Sequence, residues 1–182
     1  MGDGLLVSLA TGADWSDWRD LRLRALLDAP DAFGATHAGE SAFTEQDWRD
    51  RLDGPESLAV LARRDGRPVA LGGAYPDLPG LLHVVAMWVA PAERGRGVAH
   101  AVLRVLDEAA AEHGRGLHLD VAVTNAAARR SYERFGFVAT GVTRPLRPGA
   151  TGLVEQMLLR DGAPAGRAHL SGARPSGTPG SR

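Results

Sequence analysis

The sequence predicts an α/β (α+β) fold: a single domain with a mixed, mostly antiparallel central sheet flanked by helices. Three observations predict it. Short apolar runs with strand character alternate with amphipathic helical segments. A meander of strands separated by Gly and Pro turns fills the middle of the chain. The longest helical segment lies between two strands, as a crossover does. With 182 residues, 44% hydrophobic and 24% charged, the chain is long enough to bury one sizeable core.

Leu5 to Leu9 reads as a short strand. Thr11-Gly12-Ala13-Asp14 then has the spacing of a helix-start capping box, with Asp in place of the usual Glu. Trp15, Trp18, Leu21, Arg22 and Leu26 follow at helical spacing until Ala29-Pro30-Asp31 breaks the run. Ala32 to Ala42 has no clear period and reads as a loop or short turn. Thr44 to Asp47 opens a second short helix through Trp48 and Leu52, ended by Gly54-Pro55.

Ser57 to Arg63 and Val69 to Tyr75 are strand-like and joined by a turn at Asp65-Gly66. Pro76 to Gly80 reverses the chain again, and Leu81 to Val89 forms a third, more apolar strand. A strongly periodic helix follows, with Val98, Val102, Val105, Leu106 and Ala109 on one side and Gly114 as its stop. Leu117 to Val123 is a strand and Asn125 to Phe135 a helix closed by Gly136. Phe137 to Thr143 and Leu153 to Arg160 are closing strands. The domain is therefore placed at residues 1–160. In residues 161–182 Gly, Pro, Ser and Ala dominate, so this tail is expected to be disordered.

Composition removes several function classes. The chain has no cysteine, which excludes disulfides, thiolate zinc sites and cysteine nucleophiles together. A net charge of -1 lacks the basic excess of a duplex-binding surface, so no nucleic-acid partner is expected. No apolar run reaches the roughly 18 residues of a membrane span. Met1 to Thr11 lacks the basic flank and apolar stretch of a secretory signal, so the cytoplasm is the expected compartment.

Two segments carry chemistry. In Ala86 to Ala99 a strand ends, Pro91 stops its ladder, and a helix starts within a few residues. Gly95 and Gly97 let an anionic ligand approach the backbone closely. The first N–H groups of the helix lack intrahelical partners and, with the helix dipole, suit a phosphate or pyrophosphate. Arg94 and Arg96 can add charge-assisted hydrogen bonds, and the small Ala99 lets helix and strand approach. The pattern is neither G-x-G-x-x-G nor a P-loop. In the second segment, Asn125 is a favourable N-cap, and Tyr132 falls seven positions later on nearly the same helix face. Ala128 lies between them.

Arg94-Gly95-Arg96-Gly97-Val98-Ala99 resembles the Arg/Gln-x-x-Gly-x-Gly/Ala signature of the GNAT superfamily of N-acetyltransferases. Asn125 to Phe137 resembles that family's Asn-x-x-Ala-x-x-x-Tyr-x-x-x-Gly-Phe motif, and the element order matches from Leu5 to Arg160. The resemblance implies that acetyl-CoA is the cosubstrate, that the signature amides hold its pyrophosphate, and that Met87, Trp88 and Val89 hold the pantetheine arm through their main chain. It further implies that Asn125 contacts that arm, that the Val89 N–H faces the developing oxyanion, and that Tyr132 protonates the departing thiolate.

The expected activity is direct acetyl transfer to an amine acceptor, with no metal; a homodimer is compatible with the resemblance. Family members carry a Glu four residues before the first pantetheine-contacting position, and here that position is His83, an imidazole able to accept a proton near neutral pH. Asp31, Glu40 and Glu45 are further groups expected near the acceptor, and Glu155 reads as a cleft residue or a sheet-edge charge. Two alternatives stay open: a protein or peptide acceptor in place of a small amine, and a CoA-binding sensor of the same fold without transfer activity.

Overall fold

The computed structural model describes residues 4–147 and 151–159; the tail expected over residues 161–182 lies outside them. Its sheet is built from β1 (Leu5–Leu9), β2 (Leu58–Arg64), β3 (Arg67–Pro76), β4 (Leu81–Val89), β5 (Gly116–Ala122), β6 (Phe137–Pro145) and β7 (Leu153–Leu159). The helices are α1 (Trp15–Asp28), α2 (His37–Ser41), α3 (Glu45–Leu52), α4 (Val98–Glu112) and α5 (Ala126–Phe135). The strand order is β1-β2-β3-β4-β5-β7-β6, and β4–β5 is the parallel pairing among otherwise antiparallel neighbours. This is the mixed, mostly antiparallel sheet the sequence predicts.

Period-2 alternation divides β2 between two cores. Val60 and Ala62 face α4, while Ala59 and Leu61 face α1 and α3. On one side Val98, Val102, Leu103, Leu106 and Ala110 of α4 pack on the sheet; on the other Trp18, Leu21, Leu26 and Trp48 do. Leu103 and Ala110 widen the α4 seam on one side, and Val105 packs against its other edge, partly buried.

The capping box expected at Thr11 forms, and a second one starts α3 at Thr44. The Asp14 carboxylate accepts from the Thr11 N–H at 3.0 Å, and that of Asp47 from the Thr44 N–H at 2.7 Å. The β2–β3 turn is tighter than expected: Asp65 and Gly66 both have positive φ, 49° and 78°, so the strands run up to a two-residue hairpin. Residues 32–42 also differ. They include the short helix α2, started by the Thr36 hydroxyl accepting from the Gly39 N–H at 3.2 Å. One turn of helix is too short to leave a period in sequence.

Two local features shape the centre of the sheet. Leu71 pairs with Trp88 but Gly73 pairs with Val85, so β4 carries extra length opposite Gly72. Ala86, at φ 57°, absorbs this bulge. Gly72 makes room for it: a Cβ there would lie 2.5 Å from Met87 Sδ and 2.7 Å from Val102 Cγ1. On the other side, β4 pairs with β5 over Leu81–Val84 and Gly116–Leu119, and the two strands then part.

Candidate functional site

The parting of β4 and β5 leaves a main-chain edge open. Ala90 N–H donates to Val69 O at 2.9 Å, so by ladder alternation the Val89 N–H turns away from β3, toward the gap. Met87 shares that orientation. Trp88 does not: its main chain pairs toward Leu71, and its indole is buried, with Nε1 donating to Asp28 Oδ2 at 2.9 Å. Asp28 also receives the Arg94 guanidinium, and Arg94 Nε donates to Val89 O at 3.0 Å. The Trp88 hydrogen bond first, and the Arg94 contact second, hold the Asp28 carboxyl below its ordinary pKa.

Beyond the strand, Gly95 and Gly97 have φ 78° and 79°, left-handed conformations that glycine adopts without strain. A Cβ on either would meet none of the described residues within 4 Å, so among them the space over the start of α4 is clear. Gly97 is the N-cap of α4 and offers no side chain to its first amides. Val98 is buried and reaches this space through its backbone, while Ala99 borders it. Arg96 is exposed, 3.5 Å from Glu93, and stands outside the cavity wall.

The gap and the α4 N-terminus open into a cavity of about 690 Å³. A second cavity, of about 450 Å³, lies toward α1 and β5. Phe33, Met87, Asn125, Ala128 and Tyr132 line both, so the two meet at these residues. Asn125 caps α5 with Oδ1, accepting from the Ala128 N–H at 3.0 Å. Tyr132 packs edge-on against Phe137 at 5.9 Å, and burial pushes its phenol up to about 12.

His83 lies in the second cavity, within a polar cluster that sequence reasoning missed. His83 and His118 are register partners across β4 and β5, and their rings stack 4.6 Å apart at 14°. His83 Nε2 is 3.3 Å from Asp120 Oδ2, and Tyr75 Oη is 3.2 Å from His83 Nδ1. Asp120 also pairs with Arg144. Burial alone would raise the Asp120 pKa, but the His83 hydrogen bond and the Arg144 charge outweigh it and the net shift is downward. His118 is shifted down by burial first and by neighbouring His83 second, which disfavours its charged form. The available signal was the polar pair His118 and Asp120 within the apolar run Leu117 to Val121.

Asp77, His83 and His118 bring possible metal-ligand atoms within 4.8 Å of one another. Imidazole lone pairs lie in the ring plane, however, and two nearly parallel stacked rings do not direct theirs to one point. The arrangement reads as a stacked pair beside carboxylates.

The other acidic candidates separate. Glu40 is buried and accepts from Arg22 Nε and Nη2 at 2.8 and 3.0 Å. Burial would raise its pKa, but Arg22 and then Arg51 overcome that and hold it down, so it is a poor proton acceptor. Glu45 pairs with Arg49, Glu155 pairs with Arg129, and Asp31 is exposed.

A model of the family described as "Acetyltransferase (GNAT) family" matches residues 15–137. An acetyltransferase of Agrobacterium fabrum is 34% identical over 108 residues, which is 59% of this chain and 72% of that protein. The streptothricin acetyltransferase of Streptomyces lavendulae is 31% identical over 128 residues, 64% of this chain and 66% of that one. Among solved structures, an acetyltransferase of the GNAT family from Streptococcus pneumoniae superposes with a TM-score of 0.71 at 20% identity, covering 85% of this chain and 99% of that one.

Proposed function

Since the chain belongs to the GNAT acetyltransferase family, we propose that it is an N-acetyltransferase that moves the acetyl group of acetyl-CoA directly onto a primary amine of a small molecule or peptide. One observation carries this reading: two cavities of different character meet at Tyr132, Met87 and Asn125. One opens onto the free amides of α4, and the other holds His83 and Asp120. A thioester arm can enter from the first and an amine from the second.

The cosubstrate fits the first cavity. Gly95 and Gly97 keep side chains away from the α4 N-terminus, where amides and dipole suit a diphosphate. Met87 and Val89 present main-chain groups to a polar arm lying where β5 has departed, as an added strand would. Ala128 is small enough to let that arm pass, and Asn125 keeps its amide NH2 beyond the capping bond.

When bound, acetyl-CoA supplies an activated acyl carbonyl whose C–S bond breaks as the new C–N bond forms. The amine must lose a proton, and His83 accepts it. With its Nε2–H directed to Asp120, the accepting atom is Nδ1, and the Tyr75 hydroxyl beside it passes the proton in from the cavity. This tautomer follows from the partners on each side of the ring. Val89 N–H donates to the carbonyl oxygen as it gains charge. Tyr132 faces the departing sulfur. Its phenol, at about 12, lies well above an ordinary thiol near 8.5, so complete transfer of its proton is uphill by roughly 5 kcal/mol. Tyr132 therefore acts mainly as a hydrogen-bond donor to the thiolate, not as a full acid.

The test is thiol release from acetyl-CoA with polyamines, aminoglycosides, amino acids and N-terminal peptides. Turnover with at least one class is expected. Binding of acetyl-CoA with no turnover on any amine would replace this reading with that of a CoA-binding sensor.

A further inference from the structure

Two groups of opposite charge in the wall of the acceptor-side cavity each keep one polar atom unsatisfied among the described residues. Arg22, from α1, spends Nε and Nη2 on Glu40, while its Nη1 is buried with no hydrogen-bond partner among the described residues; the side chain is 6% exposed. Arg51, from α3, reaches the same carboxylate at 3.2 Å, so two guanidiniums share one negative charge. From β5, Asp120 directs Oδ2 to His83 and Arg144, while its Oδ1 is buried with no partner among the described residues; that side chain is 10% exposed. Arg22, Arg51 and Asp120 all line the cavity of about 450 Å³.

Leaving a buried charged donor or acceptor unmatched is costly, and such groups call for a partner of complementary chemistry. A carboxylate matches a guanidinium, and an ammonium matches a carboxylate. We propose that the acceptor is a zwitterionic amino-carboxylate of amino-acid or dipeptide size, with its carboxylate toward Arg22 and Arg51 and its amine toward Asp120 and His83. This rests on the acetyltransferase reading and narrows its substrate class.

The charges argue against a purely cationic acceptor. Three guanidiniums, those of Arg22, Arg51 and Arg144, are set against the carboxylates of Glu40, Asp120 and, beside His83, Asp77, so the charges around the cavity balance without a ligand. A zwitterion keeps that balance, while a purely cationic ligand adds positive charge with no counterpart. Phe33 supplies an apolar wall: its ring lies 4.8 Å from the Arg22 guanidinium carbon and borders both cavities.

The experiment is calorimetric titration of the full-length protein, saturated with CoA, using ligand pairs that differ by one carboxylate: phenylalanine against phenethylamine, and lysine against cadaverine. Thiol release with acetyl-CoA is followed in parallel. The amino acid of each pair is expected to bind about tenfold more tightly, which is 1.4 kcal/mol. Arg51→Gln, which leaves the Arg22–Glu40 pair in place, is expected to shrink that preference. Equal or tighter binding of the decarboxylated partner overturns the proposal, as does binding of neither while CoA binds. Tight binding of the amino acids without thiol release from any amine supports the subsite and sinks the transferase reading instead.

Discussion

Asp28 ends α1 and Trp88 lies 60 residues later in β4, yet the Asp28 carboxylate accepts the indole N–H of Trp88 at 2.9 Å. The same oxygen receives Arg94, so one side chain joins the first helix, the central strand and the glycine turn. Asp28→Ala is expected to lower stability by about 1–3 kcal/mol by leaving the buried indole without an acceptor. Because its pKa is depressed in the folded state, the Asp28 contribution is present above the ordinary carboxylate pKa. It disappears as pH falls through the lowered value. Urea melts of both proteins across the acid range should converge at low pH.

Gly97→Val tests the anion site. At φ 79° a β-branched residue is strained by roughly 1–2 kcal/mol, and its side chain fills the space over the α4 amides. CoA affinity measured by calorimetry should fall at least about tenfold. Unchanged affinity would remove the diphosphate site from the start of α4.

Tyr132→Phe removes one hydrogen bond to the developing thiolate and should lower kcat by roughly 10²-fold while leaving CoA affinity nearly intact. Its pH signature is separate. The folded pKa of about 12 exceeds the unfolded value of 10.0, so the stabilisation linked to Tyr132 is complete below pH 10 and is lost as pH rises toward 12. In alkaline melts the wild type should lose stability over that window more steeply than the Phe variant.

Glu40→Gln removes a buried partner from Arg22 and should destabilise the fold by about 3–5 kcal/mol, read as a lowered denaturation midpoint. Since Glu40 is held below its ordinary pKa, its contribution also fades as pH drops through the lowered value. A midpoint unchanged at neutral pH would deny the pair its structural role.

Gly72→Val examines the bulge. The added atoms would sit 2.5 Å from Met87 Sδ and 2.7 Å from Val102 Cγ1. Overpacking of this kind should cost about 1–3 kcal/mol and shift Met87. A loss of CoA affinity along with stability would show that the bulge sets the strand edge, and full affinity would show that it does not.

Much of the fold was legible because β2, β3 and α4 declare their faces by period and their ends by Asp65-Gly66 and Gly114. The insertion of β7 between β5 and β6 was not, since pairing order depends on contacts far apart in sequence. Nor was the bulge: Ala86 takes a positive φ that its residue type does not advertise. At the site, Gly95, Gly97, Asn125 and Tyr132 border one cavity while Arg96 does not, because local spacing fixes which groups stand at a helix start or on one helix face but not where a long exposed side chain turns. Arg22, in contrast, sits in the apolar stripe of α1, and only the arrival of Glu40 from a separate segment explains a guanidinium there. Tyr75 and Asp120 come from different strands, and their meeting at His83 depends on register, which local spacing does not encode.

The short union of β4 with β5 has a mechanical consequence. Four registered positions join the two halves of the molecule along that line, and beyond Val84 the seam stands unlaced. A ligand arm threaded there would act as a stitch. Amide hydrogen exchange along both lips of the seam should therefore slow when the cosubstrate docks, making cohesion of the scaffold a sensor of occupancy.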